Sequence, residues 1–245
     1  MLLGLKQVWG LLLEVVYAMV HGSWKVSDII AQIYQIGVRS QSVVMVTGAF
    51  TGLVLTAQTY FQFHKFGMDT LTLAVNSVAM CSELGPVLAA LMVAGRVGAA
   101  MAAELGTMRV SEQIDALRTL NTHPVDYLVL PRVAATTIAM PVLVCEAVAI
   151  GIFGGYMLGV YGLGIDPVYS WANMVNMTHV KDLMTGIIKG FFFGGLISFT
   201  GCYKGLFCKN GAQGVGEATT DTVVISSIGI LMLNFCLTLI LSKIL

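Results

Sequence analysis

TLTLAVNSVAMCSELGPVLAALMVAGRVGAAMAAE, residues 70–104, is the stretch that decides the fold class. Before its closing Glu104 the only charges are Glu83 and Arg96. An apolar run of this length reads as a membrane-spanning helix. Pro86 has no N–H to give the helix, so a kink or break is expected near Glu83.

The rest of the chain repeats the pattern. Of 245 residues, 57% are hydrophobic and 11% charged, against about 25% charged in an ordinary soluble domain. Mean hydropathy is +0.84. Thirteen basic and thirteen acidic residues balance to a formal charge of +0, which argues against nucleic acid as a partner because phosphate binding needs a basic excess. Five transmembrane segments are expected, at 38–63, 70–104, 128–161, 183–203 and 220–243. Ser40–Phe63 and Thr222–Leu241 carry no charge, whereas Pro141 and Glu146 interrupt the third span and Lys189 the fourth. The fold class is therefore an all-α integral membrane protein, read as a single domain over 1–245.

Residues 1–24 precede the first span. Lys6, Gln7, Gly10, Glu14, Tyr17 and His21 follow steps of three and four, so this segment is expected to be an amphipathic helix lying in the membrane interface. Glu14 breaks its apolar run, and no A-x-A site follows, which disfavours a signal peptide. Gly22 and Ser23 would stop the helix, Trp24 would sit at headgroup level, and Lys25 would be wet. Between the second and third spans, Val110, Ile114 and Leu117 lie on one face and Glu112, Gln113, Asp115 and Arg118 elsewhere. That spacing predicts a short amphipathic helix outside the membrane, within 107–120, with Ser111 as its N-cap. Residues 162–181 and 204–217 read as loops.

Lys and Arg set the orientation. The N-terminal stretch and the 105–132 and 204–217 loops hold eight: Lys6, Lys25, Arg39, Arg109, Arg118, Arg132, Lys204 and Lys209. The opposite side holds three: Lys65, Lys181 and Lys243. The N-terminus and the short helix are expected in the cytoplasm, and the C-terminus outside.

Small residues recur every four positions at Ala90–Gly106, Ala147–Gly159 and Gly186–Ser198. Such stripes let helices touch backbone to backbone, either within one subunit or across a homodimer seam. Charges inside spans are costly and need a reason. Glu83, Arg96, Glu146 and Lys189 are read as interhelical pairs or as walls of a wet cavity, with Glu83 the leading functional candidate. Counted at about 1.5 Å per residue, Glu83 and Glu146 lie roughly 20 Å from the outer ends of their spans and Lys189 about 10 Å, which makes a direct Glu146–Lys189 pair strained. Enzyme chemistry is hard to assemble: there is no GxSxG, HExxH or P-loop. His21, His64, His123 and His179 are scattered, and the five cysteines form no CxxC.

The run ELGPVLAALMVAGRVGAAMAAELGTMRVSEQIDAL (83–117), continued by HPVDYLVLPRV, GIFGGYMLGV and EATTDTVVISS, resembles the MlaE/YrbE family of ABC transporter permeases. The resemblance implies an interfacial helix plus five spans, N-terminus cytoplasmic and C-terminus periplasmic. It implies a homodimer in the inner membrane of a Gram-negative bacterium, moving phospholipid between inner and outer membranes; a plastid origin would share the motif. Implied partners are a cytoplasmic MlaF-like ATPase, an MlaB-like STAS-domain protein and an MlaD-like periplasmic MCE-domain hexamer. No cofactor is expected in this chain, ATP and Mg being bound by the ATPase. Family positions that line the lipid cavity match Leu55, Gln58, Glu83 and Lys189. The coupling helix matches Thr107–Leu120, with Ile114 and Leu117 as apolar anchors in the ATPase groove and Glu112, Asp115 and Arg118 as polar rim. Ser82 stands where many relatives carry Arg, and Asp221 where relatives often carry a basic residue. An ABC permease for a small polar solute is the alternative reading; it predicts a more polar cavity than the uncharged first span offers.

Overall fold

A computed structural model of the chain describes residues 2–21, 26–209 and 211–244, with side chains from residue 7 to 18 in the first helix. The expectations for Gly22, Ser23, Trp24 and Lys25 lie outside the described residues. We number the helices α1 (Leu2–His21), α2 (Val26–Phe66), α3 (Asp69–Val110), α4 (Gln113–Thr119), α5 (Val125–Gly162), α6 (Pro167–Met177), α7 (Val180–Leu206) and α8 (Ala212–Ile244). There is no strand among the described residues. Five of these helices, α2, α3, α5, α7 and α8, are long and apolar enough to cross a membrane.

Several boundaries differ from expectation. The 162–181 segment is not a plain loop. Asp166 accepts hydrogen bonds from the N–H groups of Val168 (2.8 Å) and Tyr169 (3.1 Å), and Pro167 occupies the first turn. An N-cap acid followed by proline starts a helix, and α6 results. The 107–120 helix is shorter than expected, because Thr107–Val110 is the end of α3. Ser111 is not its N-cap: its hydroxyl donates back to the Thr107 carbonyl (2.8 Å), and Glu112 takes the capping position in a left-handed conformation, φ 58°. The 204–217 loop is cut short by α8, which already begins at Ala212.

The kink or break expected near Glu83 is not a break: α3 is continuous but irregular at that point. Met80–Leu84 forms a π-helical turn in which the Gly85 N–H reaches the Met80 carbonyl. The wider turn absorbs Pro86 without ending the helix.

The chain divides into two compact units. The first comprises Met1–Arg39, Val93–Ala139 and Phe193–Ile230. In it α1 buries Leu11, Val15 and Ala18 while Trp9, Leu13, Val16 and Tyr17 stay exposed. Here α3 and α7 meet backbone to backbone: a Cβ on Gly201 would stand 2.9 Å from the Gly98 carbonyl oxygen. Arg132 pairs with Glu104 at 3.0 Å, and Lys204 with Asp221 at 2.8 Å.

The second unit comprises Ser40–Met92, Met140–Phe192 and Leu231–Leu245. Gly48 and Gly52 of α2 lie against Ala147 and Gly151 of α5 so closely that a Cβ on Gly52 would collide with the Gly151 carbonyl. Asn76 donates to the Thr56 hydroxyl at 2.9 Å, and a side chain at Gly155 would fill that space. Gly186 and Gly190 of α7 face the Cys81 carbonyl and Pro141. These members of the stripes therefore serve packing within the chain rather than a seam between copies. At one end of the unit α6 packs on α3 through Met174 against Leu73 and Ala74.

Candidate functional site

The strongest polar constellation grows out of the π-helical turn in α3. In an α-helix the Pro86 N–H would bond the Ser82 carbonyl four residues back, and proline has none. That carbonyl instead accepts from the Lys189 ammonium at 2.9 Å. Close approach makes this possible, because Gly186, one turn before Lys189, lets α7 settle against the Cys81 carbonyl. Lys189 is fully buried, yet its three protons are matched: Ser82 O, the Thr238 hydroxyl at 2.8 Å, and Glu83 Oε1 at 2.8 Å.

Glu83 is held from both sides. Asn234 Nδ2 donates to its Oε2 at 2.9 Å, and the Thr238 hydroxyl lies 2.9 Å from its Oε1. The carboxylate remains 38% exposed, so the pair has one wholly dry member and one that faces outward. A buried ammonium costs several kcal/mol unless paired, and this network supplies the pairing. Asn234 and Thr238 were not among the candidates read from the sequence. The signal was present: two polar residues at i and i+4 share a face in an otherwise apolar span. Lys189 pairs with Glu83 although their counted depths differ by about 10 Å; the start of α7 at Val180 rather than 183 accounts for about 4.5 Å of that. Glu146 stays outside this network, half-buried, with Oε2 lacking a hydrogen-bond partner.

The remaining lipid-cavity candidates are elsewhere in the same unit. Leu55 and Gln58 line an open groove of about 600 Å³ with Thr59, Phe61, Gln62, Phe63 and Val75. Glu83 and Lys189 are not among its walls. The four candidates thus form two pairs, one on a groove of mixed apolar and uncharged polar walls and one charged.

The short helix α4 carries the residues expected to couple to the ATPase. Ile114 is only 1% exposed and packs inward, so it is a core residue and not a surface anchor. Its spacing from Leu117 was right for an amphipathic helix, but the apolar face points into this chain. Leu117 is half-buried, while Leu120 is exposed. The polar candidates are partly engaged at home. Arg109 Nη1 donates to both Asp115 oxygens at 2.8 and 2.9 Å, and Arg118 reaches Asp115 at 3.3 Å. Glu112 is exposed. Beneath the helix lies a cavity of about 570 Å³ whose walls include Leu11, Arg109, Ile114, His123 and Cys208. The Cys208 thiol donates to the Gly106 carbonyl at 3.6 Å, and burial pushes its pKa up. Among the described residues no three His, Cys, Asp or Glu side chains converge as metal ligands.

A sequence profile of the family described as Permease MlaE matches residues 29–240. The chain belongs to the MlaE permease family. A probable ABC transporter permease protein of Rickettsia felis is 46% identical over 218 residues, covering 89% of this chain and 84% of the relative. The intermembrane phospholipid transport system permease protein MlaE of Haemophilus influenzae is 36% identical over 214 residues, covering 87% and 82%. The chloroplastic protein TRIGALACTOSYLDIACYLGLYCEROL 1 of Arabidopsis thaliana is 37% identical over 226 residues, covering 91% of this chain and 64% of the relative. This MlaE-family chain is thus an ABC transporter permease with five helices able to span a membrane. The Glu83 network lies within the part the family profile covers.

Proposed function

We propose that this permease moves phospholipid between the inner and outer membranes of a bacterial envelope, working as a homodimer in the inner membrane. The observation that carries the reading is the likeness to the Haemophilus protein, which is named for intermembrane phospholipid transport. The groove at Leu55 and Gln58 offers apolar walls for acyl chains, and the outward-facing Glu83 carboxylate offers a polar contact for a head group. Energy comes from a separate cytoplasmic ATPase that binds ATP and Mg. A STAS-domain protein and a periplasmic MCE-domain hexamer complete the complex. The excess of Lys and Arg around α4 supports a cytoplasmic location for that helix and a periplasmic C-terminus. There α4 meets the ATPase through Leu117, Leu120 and Glu112, with Asp115 and Arg118 holding its shape and Ile114 fastening it to the rest of the chain.

The test is to purify the complex with its ATPase and measure bound lipid and ATP hydrolysis in wild type, Gln58→Leu and Leu120→Asp. Phospholipid should co-purify with wild type and change in amount or class in Gln58→Leu. ATPase association should fall in Leu120→Asp alone. Absence of phospholipid in repeated wild-type preparations would refute the substrate, and full ATPase binding by Leu120→Asp would refute the docking face.

A further inference from the structure

Helix α6 carries no charged residue in PVYSWANMVNM. Its packed side is Ser170 and Met174, set against Leu73 and Ala74 of α3. Two hydrogen bonds fasten it there: Asn173 Nδ2 to the Thr70 carbonyl at 3.2 Å, and the Thr178 hydroxyl to Ser77 Oγ at 2.8 Å. At 100° per residue, Trp171, Val175 and Val168 fall together on the side away from Ser170. All three are exposed, Trp171 at 58%, Val175 at 60% and Val168 at 73%. Tyr169, Ala172 and Asn176 are exposed beside them; a helix in water would carry more polar residues on this side.

Chain connectivity says what covers this face. Four residues separate the end of α5 at Gly162 from Pro167, and two separate Met177 from Val180, where α7 begins. Both neighbours are spans that end at the membrane boundary, so α6 is tethered to that boundary at each end. Exposed residues beside it include Tyr161 at the end of α5 and Val180 at the start of α7, the latter flanked by exposed His179 and Lys181. Tryptophan and tyrosine are the residues that favour the headgroup level.

We propose that α6 is an interfacial helix whose Trp171, Val168 and Val175 face is seated in the lipid bilayer, at the membrane surface where α5 ends and α7 begins. Its occupant is the bilayer itself, not a protein partner. Because α6 also grips the start of α3, it ties that end of the Glu83-bearing helix to the lipid surface. The assignment does not depend on which solute the permease moves.

The experiment uses the full chain in phosphatidylcholine vesicles, with Trp9→Phe and Trp24→Phe leaving Trp171 as the one tryptophan. Lipid brominated at a shallow acyl position should lower its fluorescence roughly twofold or more. Lipid brominated near the chain ends should quench less, and aqueous iodide should quench little. In Trp171→Phe, with Trp9 and Trp24 kept, shallow-bromine quenching should fall only by the share that Trp171 contributes. Strong iodide quenching without bromolipid quenching would overturn the proposal and leave the face free for a protein partner. Stronger quenching by the deep label than by the shallow one would also overturn it, because α6 would then lie inside the hydrocarbon.

Discussion

Removing the Glu83 carboxylate should unfold this protein far more readily than removing both members of its ion pair. In Glu83→Ala the Lys189 ammonium stays fully buried with only Ser82 O and the Thr238 hydroxyl as partners. Breaking a buried pair from one side costs about 3–5 kcal/mol, most of it the stranded charge. At roughly 2–4 °C per kcal/mol for a chain of this size, the midpoint should fall by about 6–20 °C. Lys189→Met strands only a carboxylate that is 38% exposed and still holds Asn234, so its loss should be smaller. The double variant Glu83→Ala/Lys189→Met removes both charges and should recover part of the deficit, giving a favourable coupling of about 1–3 kcal/mol. Midpoints are read by fluorescence-detected size exclusion after heating the purified protein. A Glu83→Ala midpoint within about 2 °C of wild type would refute the argument, since a stranded buried ammonium cannot be that cheap. So would a double variant less stable than either single one.

Other sites give independent tests. Gly52→Ala drives a methyl into the Gly151 carbonyl and should cost about 1–3 kcal/mol, whereas Gly95→Ala meets nothing within 4 Å and should leave the midpoint unchanged in the same heating assay. Glu112→Gly relieves a left-handed conformation at φ 58° worth about 1 kcal/mol; stability should hold or rise in thermal unfolding, while ATPase co-purification falls because the carboxylate is gone. Asp166→Ala removes the cap of α6 and should cost about 0.5–2 kcal/mol, seen as faster proteolysis within 163–178.

Much of the fold was legible because spans announce themselves by length and composition. Five runs of apolar residues with isolated charges are long enough for five membrane spans, and Ala/Gly periodicity marks close packing. Three features escaped for definable reasons. Helix α6 was read as loop because its outer face is as apolar as its inner one, which erases the periodicity; the Asp166–Pro167 start signal was the clue. Ile114 was assigned to a partner because spacing shows that a helix has an apolar face, not where the face points. Asn234 and Thr238 were passed over since neither is charged, although two polar groups one turn apart in an apolar span need a partner. The proline at 86 did mark the site, through its missing N–H and not through a break in the helix.

Transport of phospholipid by this permease with its ATPase can be tested outright. The most direct measurement is movement of fluorescent phospholipid from proteoliposomes holding the whole complex to acceptor vesicles or an MCE-domain acceptor, with and without ATP. Movement should depend on ATP, be altered by Gln58→Leu and not be competed away by a small polar solute. ATP hydrolysis with no phospholipid movement, alongside uptake of a polar solute, would contradict it.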